Sequence, residues 1–159
     1  MGSPGRQVEP PLGATTDLID ALVRTAFFTT AVLSRIAAEH DLSLTQLRVL
    51  AILRDRQGSM SDLATYLGLD KSTISGLIDR AEKRGLVQRT PNRLDGRGVD
   101  VALTAEGSLL AEQGAAKVAE ALSPLMGTLG PQEARRLTTL LERMLGSVSH
   151  GIPEGVRRG

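Results

Sequence analysis

A chain of 159 residues has room for one ordinary domain, or for one domain with extended arms. Its 19 Lys and Arg stand against 18 Asp and Glu, a formal net charge of +1 that by itself points neither to nucleic acid nor to a membrane surface. There is no cysteine, which excludes disulfides, thiolate metal sites, cysteine nucleophiles and thiol redox sensing together, and with only Phe27, Phe28 and Tyr66 as aromatics any core is aliphatic. In chain order, residues 1–14 are rich in Gly and Pro, lack an apolar period and read as a disordered arm without a secretory start. Thr16–Glu39 repeats apolar residues at three- and four-residue steps, from Ile19 through Leu22/Val23, Ala26/Phe27 and Leu33 to Ile36/Ala37. That spacing predicts a long helix, capped by Thr16 or Asp17. Leu44–Arg54 is a second helix, opened by Ser43 and Gln46 in a capping-box pattern and stopped at Gln57–Gly58.

Ser59-Met60-Ser61-Asp62 is a second capping box and opens a short helix that Gly68 ends after Leu67. Asp70 caps the next helix, Lys71–Arg84, whose buried stripe is Ile74, Leu77/Ile78 and Ala81, and Gly85 supplies a left-handed stop. The period then changes to two. Leu86–Arg89 and Val99–Leu103 are short strands joined by the turn-rich, basic stretch Pro91–Gly98. Thr104 restarts helix for Ala105–Met126, a segment weakened on paper by Gly107 and Gly114. After the break at Gly127–Gly130, Pro131 suits the first turn of a last helix striped with Leu137, Leu140/Leu141, Met144/Leu145 and Val148. The longest stretch free of Lys, Arg, Asp and Glu is Ala121–Gln132, twelve residues, whereas a membrane span needs about 20 apolar ones. No span is expected, and the default compartment is the cytoplasm.

Helix, short helix, glycine turn, helix and hairpin, in that order within Leu44–Leu103, is the winged helix-turn-helix plan. The second helix of the pair carries Lys71, Ser72, Thr73, Ser75 and Gly76 on its exposed N-terminal face. Small residues let a helix seat deep in a major groove, and Ser and Thr bond base edges or phosphates. Arg80, Lys83 and Arg84 add charge further along, and Arg89, Arg93 and Arg97 add it at the hairpin tip. Charge is therefore unevenly spread. Residues 80–97 hold six positive and two negative side chains, while residues 1–43 carry a net −2.

The stretch SMSDLATYLGLDKSTISGLIDRAEKRGLVQR, followed by RLDGRGVDVALTAEG, resembles the MarR family of bacterial transcription regulators. The family's D-x-R wing signature ending in L-T falls on Asp95, Arg97, Leu103 and Thr104, and its spine on Leu63, Ala64, Leu67, Gly68, Ser72, Thr73, Ser75, Gly85, Leu86 and Val87. The detailed match covers about residues 43–107, and the flanking helices match in length and placement only. The resemblance implies a mainly α fold with a small β-hairpin wing. It divides the chain into an arm (1–14), an N-terminal dimerisation helix (15–42), a winged helix DNA-binding domain (43–104), C-terminal dimerisation helices (105–150) and a tail (151–159). It implies an obligate homodimer bound to double-stranded DNA at a near-palindromic operator. Arg97 would reach a minor groove, Asp95 would orient it, and Lys71, Ser72, Thr73, Ser75 and Gly76 would face the major groove.

Each of these side chains also has a blander reading. The helix residues can be ordinary solvated polar groups, Arg93 and Arg97 exposed loop cations, and Arg80 and Lys83 partners of Asp79 on one helix face. His40 falls at the end of the first helix, where the dipole favours a cation, and neither it nor His150 belongs to a metal-ligand cluster. No catalytic signature, cofactor motif or metal site is read. By family analogy alone, a small aromatic or anionic effector would bind a cleft lined by Phe27, His40 and Arg48, with Arg48 against a carboxylate. Phe27, Phe28 and Met144 are otherwise core or dimer contacts. The competing reading is a winged helix without effector control, either an architectural DNA binder or a protein-interaction module.

Overall fold

The computed structural model describes residues 12–55, 58–92 and 98–148. Six helices and a small sheet follow one another as α1 (Leu12–Glu39), α2 (Leu44–Asp55), β1 (Gly58–Ser59), α3 (Met60–Leu67), α4 (Lys71–Lys83), β2 (Val87–Pro91), β3 (Val99–Leu103), α5 (Ala105–Met126) and α6 (Pro131–Val148). The mainly helical fold with a hairpin wing is thus the one expected. Two boundaries differ by more than one residue. α1 begins at Leu12, so residues 12–14 are helix and not arm, and Thr16 and Asp17 lie inside the helix where they cannot cap it. A composition average over 1–14 hid Leu12 and Ala14, both good helix formers. β2 also runs on to Pro91, which pairs with Val99 at the strand's end, a position where a missing N–H costs little.

The caps hold the short elements in place. The Ser43 N–H donates to Gln46 Oε1 at 2.8 Å while the Gln46 N–H donates to Ser43 Oγ at 3.2 Å. At α3 the Asp62 N–H donates to Ser59 Oγ at 3.1 Å, and the Ser59 N–H returns a bond to Asp62 Oδ2 at 3.2 Å. Ser59 also belongs to the sheet. β1 pairs antiparallel with β3, Gly58 opposite Val101 and Ser59 opposite Asp100, giving three strands in the order β1-β3-β2. Gly58, expected only to stop a helix, is therefore also an edge-strand residue.

The core is aliphatic, as the composition required. Ile36, Leu50, Leu63, Ile74, Ile78, Val87 and Val101 are its most completely buried side chains, and among the described residues no polar or charged side chain is buried with them. α5 crosses this core and also touches α1 and α2, and Lys117 Nζ pins it to Glu39 of α1 at 2.7 Å. Gly107 turns out to be required where composition counted it as a weakness. A Cβ there would sit 1.9 Å from the Leu86 carbonyl oxygen, so only glycine lets α5 pass this close to the strand. Thr104 completes the junction: its hydroxyl donates to the Gly85 carbonyl at 2.6 Å, its N–H to the Leu86 carbonyl at 3.1 Å, and its Oγ1 accepts from Gly107 N–H at 3.0 Å.

The outer helices are only half covered. Phe27 is 73% exposed and Phe28 50%, so neither belongs to the core, and Leu137, Leu140, Leu141, Met144 and Leu145 leave an apolar stripe of α6 in the open. By length and composition alone, Gly13–Glu39 is also apolar enough to cross a membrane. Counting charge-free residues missed this because Arg24 and Arg35 interrupt the run without outweighing it. The C-terminal half of the helix packs into the core through Val32, Ile36 and Ala37, which leaves its N-terminal half as the surface in want of a partner.

Candidate nucleic-acid interface

α4 stands on the core by Ile74, Leu77, Ile78 and Ala81 and turns its other side outward. Lys71, Ser72, Thr73 and Arg80 are exposed there, and Ser75 and Gly76 are half-buried between them. The structure thus places six of the nine expected contact residues on one helix face. Arg80 folds back along it, its Nη1 standing 3.5 Å from where a Cβ on Gly76 would be. Arg93, Asp95 and Arg97 lie outside the described residues. What is described is the base of their loop, where the Asn92 N–H donates to the Gly98 carbonyl at 2.9 Å and Asn92 Nδ2 to Asp100 Oδ1 at 2.8 Å.

Asp70 does more than cap the helix. Its carboxylate accepts the Thr73 N–H at 2.9 Å, the Thr73 hydroxyl at 2.7 Å and the Ser72 hydroxyl. Hydrogen bonds from the Ser72 hydroxyl first, then the Thr73 N–H and hydroxyl, hold this carboxyl well below the usual carboxylate range. An ionised carboxylate only accepts, so both hydroxyl hydrogens point at Asp70 and each oxygen presents only lone pairs outward. A phosphate oxygen also only accepts. In this arrangement Ser72 and Thr73 offer acceptors outward, which suit a donor and not a phosphate oxygen.

Two cations are engaged differently from the sequence expectation. Arg84 donates to the carbonyls of Asp41 at 2.7 Å and His40 at 2.9 Å, anchoring the end of α4 to the end of α1. Arg89 lies within β2 opposite Val101 and not at the hairpin tip, and it bridges Asp79 and Glu82 of α4. Asp79 is thereby paired with Arg89 and not with Lys83 or Arg80. Among the described residues Lys71, Arg80 and Lys83 enter no ion pair. No spacing rule in the sequence could show these links, since they join residues 7 to 44 positions apart.

A separate cleft of about 620 Å³ opens between α1, α2 and α5. Leu33, Leu44, Leu47, Ala51 and Val118 make it apolar, and Arg48 and Arg54 supply its charge. Arg54 is neutralised by Asp55 at 2.8 Å, whereas among the described residues Arg48 reaches only the Tyr66 carbonyl at 3.5 Å. Of the three residues expected around an effector, only Arg48 is here. Phe27 lies about two turns up α1 from Leu33, and His40 lines a different, more polar cavity with Arg84 and Glu106. Among the described residues no group of acidic residues and histidines could hold a metal ion.

Two helices meeting at a left-handed glycine, the second with a polar face clear of the core and a paired hairpin beside it, define a winged helix-turn-helix protein. The chain belongs to the MarR family. That family's model matches residues 40–98. The transcriptional repressor NicR of Pseudomonas putida is 33% identical over 135 residues, covering 83% of this chain and 85% of that protein. The multiple antibiotic resistance protein MarR of Salmonella typhimurium is 32% identical over 108 residues, 66% of this chain and 74% of that one. A mutant of MarR from E. coli complexed with operator DNA has a TM-score of 0.64 to this fold over 86% of this chain and 99% of that chain, at 26% identity.

Proposed function

We propose that this chain is a homodimeric, sequence-specific DNA-binding transcription regulator, a repressor that a small-molecule effector releases. The observation that carries the reading is the exposed face of α4, which holds Lys71, Ser72, Thr73, Ser75, Gly76 and Arg80 clear of the core beside a paired hairpin. The division of labour follows the domain boundaries 15–42, 43–104 and 105–150. α4 enters the major groove and the wing lies along the minor groove, where Arg93 and Arg97 meet the backbone and Asp95 orients Arg97. The exposed apolar faces of α1 and α6 cover one another in the dimer, which removes any membrane role for α1. The activity is binding and not catalysis, and the cytoplasm is where its DNA lies.

The effector reading is supported by the apolar cleft with Arg48 in its lining. An amphipathic ring carrying a carboxylate fits both features, and its insertion between α2 and α5 would bias the spacing of the two DNA-binding lobes. Two measurements test the whole. Selection from a randomised duplex library is expected to return a near-palindrome whose half-sites lie about 10 bp apart. A library that shows no enriched motif overturns the reading. Arg48→Ala is expected to keep DNA binding and lose release by aromatic carboxylates, and release by them at the wild-type concentration would remove Arg48 from the effector site.

A further inference from the structure

We propose that Arg89 is a positioning residue for DNA binding, bridging the wing's first strand to Asp79 and Glu82 of α4 and so fixing the angle between wing and helix. The inference rests on the DNA-binding reading above. β2 leaves the core at Val87, which is buried; the residues after it are exposed or half-exposed. Arg89 stands just beyond that exit. Its Nη2 donates to Asp79 Oδ1 at 2.6 Å, its Nη1 to Glu82 Oε2 at 2.5 Å and its backbone N–H to Glu82 Oε1 at 3.3 Å. Only 26% of the guanidinium side chain is exposed, against 52% for Asp79 and 41% for Glu82.

An isolated ion pair at this exposure would hold little. Here one planar fork spans two carboxylates that sit three residues apart on a single rigid helix, and the strand's own N–H adds a third bond. The bridge acts where leverage is greatest. From Arg89 to Asn92 the strand extends about 10 Å, so a tilt of about 10° at the bridge moves the base of the wing loop by roughly 2 Å. A helix and a wing that must enter two grooves at once lose register at displacements of that size. The same geometry takes Arg89 out of the set of cations free to neutralise phosphate, and it turns two acidic side chains of α4 toward β2.

The test uses the full-length protein on the duplex it selects from a randomised library, with thermal unfolding recorded for every variant. Arg89→Gln is expected to bind about tenfold more weakly. It should lose minor-groove protection from hydroxyl radicals at the ends of the site and keep protection of guanine N7 in the major groove. Asp79→Asn/Glu82→Gln, which breaks the bridge from the helix side, is expected to give the same footprint. Adding Arg89→Gln to that pair should weaken binding no further, and Arg89→Lys, which keeps the charge without the fork, should resemble Arg89→Gln. Minor-groove protection intact in Arg89→Gln, additive losses in the triple variant, or full recovery by Lys would each overturn the bridge. A wild-type protein that protects no duplex at all overturns the DNA-binding reading beneath it, and this role with it.

Discussion

With one oxygen taken by the Ser72 hydroxyl and the Thr73 N–H and the other by the Thr73 hydroxyl, the Asp70 carboxylate leaves both hydroxyl oxygens presenting acceptors outward. Outward lone pairs suit the amino groups of adenine and cytosine, the only donors on base edges in the major groove. Asp70→Asn retains a good N-cap, but its amide can donate and so releases the hydroxyl hydrogens toward thymine O4 or guanine O6 and N7. Duplexes selected by Asp70→Asn should therefore change base at the contacted positions, and an unchanged motif contradicts the polarity argument. The pH dependence has a definite sign. Because the folded carboxyl titrates below its unfolded value, its contribution is complete above about pH 4 and is lost only as pH falls further. In denaturant titrations the stability gap between wild type and Asp70→Asn should stay constant from about pH 8 to 5 and narrow below about 4. Sequence showed Asp70 as a cap and the two hydroxyls as exposed, because a helical period specifies faces. The direction of a hydrogen bond leaves no trace in that period.

At the scale of elements, α4 is fastened at its C-terminal end from two sides. Arg84 ties it to α1 through the His40 and Asp41 carbonyls, and Thr104 ties the following Gly85 and Leu86 to α5. Gly85 at φ 70° makes the sharp exit that brings these two carbonyls to Thr104. Gly107→Ala forces its Cβ against the Leu86 carbonyl and is expected to cost about 2 kcal/mol or more. Thermal unfolding should show a drop of at least several degrees, and a variant as stable as wild type would mean that α5 can shift without cost. Helix positions were legible because Ile74, Leu77, Ile78 and Ala81 keep the helical period and Ser59 and Asp70 cap as expected. β1 was not legible, since two residues, Gly58 and Ser59, carry no alternation and become a strand only by pairing with Val101 and Asp100.

For the whole molecule, the net charge of +1 averages groups with different employments. Arg84 and Arg89 supply part of the basic stretch 80–97, yet both are spent on carbonyls and carboxylates within the protein. Charge counted along the chain overstated what faces DNA, because it cannot see which cations are already paired. The apolar faces of α1 and α6 are the other whole-molecule feature. Leu141→Glu, on the open stripe of α6, is expected to shift the protein from dimer to monomer in sedimentation and to reduce DNA affinity by at least about 100-fold, since two half-sites no longer bind together. A dimer that survives this change would move the interface elsewhere. The central claim, that the α4 face and wing read a particular sequence, is tested most directly by one competition. The affinity of the dimer for its selected duplex is compared with that for a random duplex of equal length at about 0.15 M salt. A ratio of at least about 10³ is expected, and a ratio near one would contradict the claim.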